Sequence, residues 1–216
     1  IASTKKGKED LIYYYDAAPE TISVIPCGVN LDLFRPIKRE IARCHLGLNG
    51  ESIILFVGRI VPLKGIDNLL KAMTPLKRKQ RVKLVVIGGD EHSQAEMERL
   101  KNLSRSLKID ESVIFLGLVK QEMLPFFYSA ADLCVVPSYY ESFGLVVLES
   151  LACGTPVVAT KVGGAESVIR HGETGYVVID NDPYRLADKI ALFLSTSNGN
   201  TAFVDSVRAS VTKYSW

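Results

Sequence analysis

Six short apolar runs alternate with stretches of helical spacing, and that alternation leaves the chain few architectures. The runs are Ile53 to Val57, Val82 to Ile87, Val113 to Leu116, Leu133 to Val136, Pro156 to Ala159 and Tyr176 to Ile179. Each reads as a strand buried on both faces. Between them, Gly65 to Lys79, Ser93 to Leu107, Gln121 to Ala130, Gly144 to Ala152 and Gly164 to Arg170 space their apolar residues as helices do, with Ile66, Leu69, Leu70 and Met73 on one face. Strand and helix in strict alternation imply a parallel sheet with right-handed crossovers and helices on both sides. The expected class is α/β, a Rossmann-like, doubly wound sheet.

The flanks do not follow this rhythm. Thr4 to Tyr15 is a helix candidate, Ile22 to Ile25 a strand, and Pro26-Cys27-Gly28 a break. Residues 1–26 read as the residual end of a preceding domain and 27–40 as a linker. Residues 41–199 form the ligand-binding unit. Residues 200–216 form a last helix, with Phe203, Val207 and Val211 on one face, and the start of a crossover. Ile1 begins without an initiator Met inside a strand-like pattern, and Trp216 stops while a helical pattern still runs, so the chain reads as a piece of something longer.

Composition then removes several classes of function. Among 216 residues, 26 Lys plus Arg face 24 Asp plus Glu, and 47% are apolar. A net charge of +2 is too even for nucleic acid as the default partner. No stretch approaches the ~18 apolar residues of a membrane helix. Cys27, Cys44, Cys134 and Cys153 show neither CxxC nor metal-ligand spacing, and reduced thiols suit a cytoplasmic protein. No metal site is expected.

In open parallel sheets ligands bind outside the carboxyl ends of the strands. After the first run comes Gly58-Arg59-Ile60-Val61-Pro62-Leu63-Lys64-Gly65. An Arg and a Lys in a glycine-framed turn suit a phosphate or diphosphate; the alternative is two solvated surface cations. After the fourth run comes Pro137-Ser138-Tyr139-Tyr140-Glu141-Ser142-Phe143-Gly144-Leu145, then a helix carrying Glu149. The start of that helix is a ready anion site, and Gly144 permits close approach. Glu141 and Glu149, if joined by continuous helix, would lie ~12 Å apart along its axis, too far for a glycosidase pair but suited to the two ends of an extended ligand. Alternatively they are a dipole-favoured acid and an amphipathic-face Glu. Gly88-Gly89-Asp90 and Gly163-Gly164 are cleft linings or simple turns. Asp180-Asn181-Asp182 matches an acidic D-x-D, although Pro183 makes Asp182 a better N-cap than metal ligand. The absence of GxGxxG and GxxxxGK[ST] argues against a nicotinamide enzyme and a P-loop NTPase.

These pieces, in this order, resemble the family 4 retaining glycosyltransferases, the group 1 type of GT-B fold. Gly58-Arg59 with Lys64-Gly65, Glu141-Ser142-Phe143-Gly144 leading to Glu149, and Ala152-Cys153-Gly154-Thr155-Pro156-Val157-Val158 carry the likeness. Val24-Ile25-Pro26-Cys27-Gly28-Val29-Asn30 and Gly172-Glu173-Thr174-Gly175 add to it. The likeness is greatest to the branch of sucrose-phosphate synthases and mycothiol-pathway N-acetylglucosaminyltransferases. It implies the C-terminal, donor-binding half of a hexosyltransferase that uses a nucleoside diphosphate sugar, UDP-linked, with no metal. Arg59 and Lys64 would neutralise the diphosphate, Glu141 would face the sugar hydroxyls, and Glu149 would hold the ribose. Amides around Phe143, Gly144 and Leu145 would complete the contacts beside Gly58, and Val119 would read the base through its backbone. The acceptor domain is missing beyond residues 1–26, so the acceptor is unidentified and the chain alone is expected to bind donor without transferring sugar. A nucleotide-sugar epimerase of GT-B fold and a non-catalytic nucleotide-sugar-binding module remain alternatives; the former generally lacks the Arg/Lys and paired-Glu set.

Overall fold

A computed structural model describes all residues except 49, 197–200 and 216. The boundary expected at residues 199 and 200, and the Trp216 end of the crossover, lie outside the described residues. The helices are α1 (Lys5–Tyr15), α2 (Arg39–Leu46), α3 (Ile66–Lys79), α4 (Gln94–Ser106), α5 (Leu124–Ala130), α6 (Leu145–Ala152), α7 (Ala165–Val168), α8 (Pro183–Thr196) and α9 (Thr201–Ala209). The strands are β1 (Ser52–Val57), β2 (Val82–Ile87), β3 (Val113–Gly117), β4 (Leu133–Val136), β5 (Val157–Thr160) and β6 (Gly175–Val178). They form one parallel sheet in the order β3-β2-β1-β4-β5-β6. Strand order reverses between β1 and β4, which opens a crevice at their carboxyl ends.

Both faces of the sheet are covered, and for that reason the central strands lack polar alternation. Ile53 and Leu55 of β1 pack with Tyr128, Leu148, Leu151 and Val207 on one side. Ile54 and Phe56 pack with Leu69, Leu70, Met73, Leu100, Leu186 and Ile190 on the other. The edges depart from the expected double burial. Leu116 of β3 is exposed, and Ile179 lies beyond the end of β6 in the open. An edge strand has a neighbour on one side only, so its outer positions meet solvent.

Before the sheet, Thr4 caps α1 by accepting from the Gly7 amide at 2.9 Å, but the helix buries no residue. The expected strand over Ile22 to Ile25 is reduced to one bridge, Ala2 with Val24. Lys8 ties this segment together by donating to the carbonyls of Pro19 and Ile22 at 2.6 and 2.7 Å. Within the following stretch Val29 and Phe34 are buried in the core. Arg208 of α9 fastens that stretch, donating to the Leu31, Phe34 and Ala152 carbonyls at 2.6–2.9 Å. The α2 helix, which the sequence reading did not separate, is held by Asp132. Its carboxylate accepts from Arg39, Arg43 and the Ile53 amide at 2.9, 2.6 and 2.7 Å. Within the 200–216 stretch the last helix ends at Ala209, and a short turn, Thr212–Tyr214, follows.

Candidate functional site

The turn after β1 is built against the turn after β2. Gly58 donates to the Ile87 carbonyl at 3.0 Å, and Ile60 is buried. A Cβ on Gly88 would collide with the Gly58 carbonyl, and Gly88 itself has φ +133°. A side chain there would push the two turns apart. Together these turns, the Leu118–Val119 segment after β3 and the first turns of α4 enclose a cavity of about 740 Å³. Gly58, Arg59 and Val119 line it, with Gly88, Gly89 and Asp90. Arg59 is exposed and makes no hydrogen bond or ion pair among the described residues.

Lys64, Glu141, Phe143, Gly144, Leu145 and Glu149 lie outside that lining, on the β4 side of the crevice. Lys64 and Glu141, 77 residues apart, form an ion pair with Nζ to Oε1 at 2.5 Å, and each side chain is only 15% exposed. Ser138 Oγ donates to the same carboxylate at 2.8 Å, and Thr160 steadies Ser138 by donating to its carbonyl at 2.6 Å. The α6 helix starts at Leu145, so only part of the span from Glu141 to Glu149 is helical. Gly144 adopts φ +94° at its N-cap, and no side chain caps it. The first amides of a helix lack intrahelical acceptors, so an uncapped start can take an anion. The loop before it rests on Gly163 and Gly164. Gly164 donates to the Phe143 carbonyl at 2.8 Å, and a Cβ at either glycine would crowd the 141–143 backbone. Phe143 instead lines a second cavity of about 630 Å³ with Ser3, Lys5, Lys161, Gly163 and Tyr214.

Glu149 is half-buried in α6. Burial raises its carboxyl above the ordinary carboxylate range, and a hydrogen bond from Tyr128 opposes the rise. That bond runs from the phenol to Oε2 at 2.7 Å.

Three loops are fastened to one another at Asn181. Its Nδ2 donates to the Pro137 carbonyl, and a Cβ on Gly65 would strike both groups. Asn68 donates to the Asn181 carbonyl at 2.8 Å and to the Tyr139 hydroxyl at 2.9 Å. In the D-x-D pair Asp182 accepts from the Tyr184 and Arg185 amides at 3.0 and 2.9 Å, as an N-cap of α8 does. Among the described residues no group of three His, Cys, Asp or Glu side chains could hold a metal. No helix among them is long and apolar enough to cross a membrane.

Sequence reasoning missed Tyr128, Ser138 and Asn181 as site builders. Tyr128 sits in an apolar helix pattern, and Asn181 gains meaning only from partners distant in sequence. The adjacency of Ser138 to Glu141 was the one available signal.

Comparison with known proteins agrees with this architecture. Residues 38–209 match the family described as glycosyl transferases group 1. D-inositol 3-phosphate glycosyltransferase 2 of Catenulispora acidiphila is 39% identical over 223 residues, covering 100% of this chain and 52% of the relative. The sucrose-phosphate synthase of Thermosynechococcus elongatus superposes with a TM-score of 0.89 at 35% identity, over 100% of this chain and 54% of that one. Anabaena HepE, solved in complex with UDP and glucose, shares the fold at a TM-score of 0.88 and 24% identity, over 99% of this chain and 58% of its own. The chain thus spans about half the length of the curated relatives it matches. With the family match covering most of its residues, the chain belongs to the glycosyl transferases of group 1.

Proposed function

We propose that this chain is the donor-binding half of a retaining glycosyltransferase, and that it holds a UDP-linked hexose or N-acetylhexosamine. The observation that carries the reading is Arg59, an exposed and unpaired guanidinium on the wall of a 740 Å³ cavity, beside the reversal of strand order. A guanidinium placed there meets the negative charge of a diphosphate with a planar fork of donors. The base lies in the cavity at the Val119 backbone with Gly58 beneath it, and the ribose runs out of the cavity toward Glu149. The sugar end crosses to the β4 side, where Lys64, Glu141 and the amides from Phe143 to Leu145 meet it, and Glu149 accepts from the ribose hydroxyls. The leaving diphosphate is stabilised by Arg59, Lys64 and the α6 N-terminus, which supply the charge that a metal supplies elsewhere.

For the acceptor, the names of two relatives, D-inositol 3-phosphate glycosyltransferase and sucrose-phosphate synthase, support a phosphorylated polyol or sugar. The 630 Å³ cavity next to Phe143 offers its phosphate Lys5, which is exposed without an ion pair among the described residues, while Lys161 on the same wall is paired with Glu166 at 3.1 Å. The four cysteines are free, in keeping with the cytoplasm, where the reading places the protein.

Calorimetry with UDP, UDP-glucose and uridine, each with and without EDTA, tests the reading. UDP should bind at least tenfold more tightly than uridine, with no loss in EDTA. Equal affinities for UDP and uridine would overturn it. Retention would be read from the anomeric NMR signals of product made by the full-length protein, and inversion would refute that part.

A further inference from the structure

Among the described residues Tyr128 is the largest fully buried side chain, at 0% exposure, and it carries a phenol hydroxyl into the core. Its ring lies edge-on to Phe34 at 6.1 Å, and Thr155 holds its backbone carbonyl at 2.6 Å, so the hydroxyl has little freedom of position. A buried phenol needs a hydrogen-bond partner, and here that partner is Glu149 Oε2 at 2.7 Å. The other oxygen, Oε1, accepts no hydrogen bond among the described residues. It is also not one of the fully buried side-chain atoms that lack a partner there, which are Thr74 Oγ1 and Asn181 Oδ1. Oε1 therefore opens to solvent, while Oε2 is anchored from behind.

We propose that Tyr128 is the positioning residue for Glu149, fixing one carboxylate oxygen so that the other is presented to the vicinal diol of the nucleotide. This rests on the donor-binding reading above and adds a residue that the family resemblance did not supply. A carboxylate hydrogen-bonded in its charged form resists protonation, whereas burial favours it. At Glu149 these two effects oppose one another, with burial the larger.

The groups facing Glu149 leave it as the member of the cluster that gains a proton as pH falls. Tyr128 from α5 is pushed well above its ordinary value by burial and then by Glu149's charge, so it remains a donor. Cys134 of β4 is pushed up to about 12, chiefly by burial. Burial also pushes Cys153, just after α6, upward against the opposing charge of Arg208 from α9. Loss of the Tyr128 bond removes the one effect that lowers the Glu149 carboxyl, so protonation would begin at higher pH. Diol binding needs the carboxylate, and affinity for the diol must fall as pH drops through that point.

The test compares UDP with 2′,3′-dideoxy-UDP by calorimetry between pH 5 and 8, because their ratio cancels ionisation of the diphosphate. Wild type should prefer UDP, with the preference fading toward acid. Tyr128→Phe should lower the preference by about two- to tenfold near pH 8. Its fading should also begin at higher pH. Site-specific replacement of Tyr128 by a fluorinated tyrosine, a stronger donor in the same shape, should move the fading to lower pH and covers the case in which Tyr128→Phe does not fold. Identical pH profiles in wild type and either variant would overturn the proposal. Glu149→Gln separates this failure from that of the parent reading: if it leaves the UDP preference intact, Glu149 does not hold the diol at all.

Discussion

Breaking the ion pair between Lys64 and Glu141 should reveal a coupling far larger than a surface pair gives. Their closest atoms are 2.5 Å apart and each side chain keeps 15% of its exposure. At an effective dielectric of about 20, unit charges at that separation attract by about 7 kcal/mol before desolvation is subtracted. Removing one partner of a buried pair destabilises by about 3–5 kcal/mol, because the other charge is left stranded. Residual exposure, and the Ser138 hydroxyl still donating to Glu141, place Lys64→Met at roughly 2–4 kcal/mol. For a chain of this size that is a fall in melting temperature of roughly 5–15 °C. Glu141→Gln keeps an oxygen for Ser138 and should cost less, about 1–3 kcal/mol. The double variant strands no charge, so it should be more stable than the sum of the singles by about 2 kcal/mol or more. Urea unfolding of the four proteins measures the coupling, which should persist in high salt because screening acts weakly on shielded pairs. A coupling under about 0.5 kcal/mol, the range of exposed pairs, would refute the reasoning.

Arg59→Ala should weaken UDP by about ten- to hundredfold and leave uridine unchanged, while Arg59→Lys should recover only part of the loss; calorimetry decides, and unchanged UDP affinity would make Arg59 a solvated surface charge. Glu149→Gln should weaken UDP itself, whereas Glu141→Gln should chiefly lower discrimination between UDP and UDP-glucose, so equal losses of UDP affinity would remove Glu141 from the sugar side. Gly88→Ala drives a Cβ into the Gly58 carbonyl and should destabilise by more than about 3 kcal/mol, read by thermal melting; a neutral result would contradict the packing of the two turns. A thiol-reactive dye at neutral pH should label exposed Cys44 rapidly, and should reach Cys134 and Cys153 only on unfolding, since both are buried and their thiolates disfavoured.

The sheet was legible because apolar runs such as Ile53–Val57 and Leu133–Val136 are short, unbroken and punctuated by glycine, and a doubly covered strand needs nothing more. The alternation does not by itself choose the order β3-β2-β1-β4-β5-β6 among doubly wound sheets, but it puts every strand-to-helix turn at the carboxyl edge, and with them Arg59 and the Glu141 loop. Pairings across the chain were not legible. Nothing near Lys64 announces Glu141, and nothing in Phe126-Phe127-Tyr128 separates a phenol with a carboxylate partner from two rings that only fill space. The segment over Ile22 to Ile25 alternates as a strand does but finds one bridging residue, because pairing depends on a neighbour as well as on pattern. Helix α2 was hidden for the converse reason. It is short, only half apolar and fixed by Asp132, a carboxylate 93 residues from Arg39.

The fastening of the loops at Asn181 has a thermodynamic consequence for any ligand of the crevice. With Gly65, Pro137 and Tyr139 already held through Asn181 and Asn68, those loops are ordered before a ligand arrives. Association then forgoes most of the roughly 0.5–1.5 kcal/mol of ordering entropy that each newly immobilised side chain would cost. The crevice is pre-organised by a residue that need not touch the ligand. Loosening that residue would leave every ligand contact in place while making binding entropically harder, so the contribution of Asn181 lies in the disorder it removes beforehand.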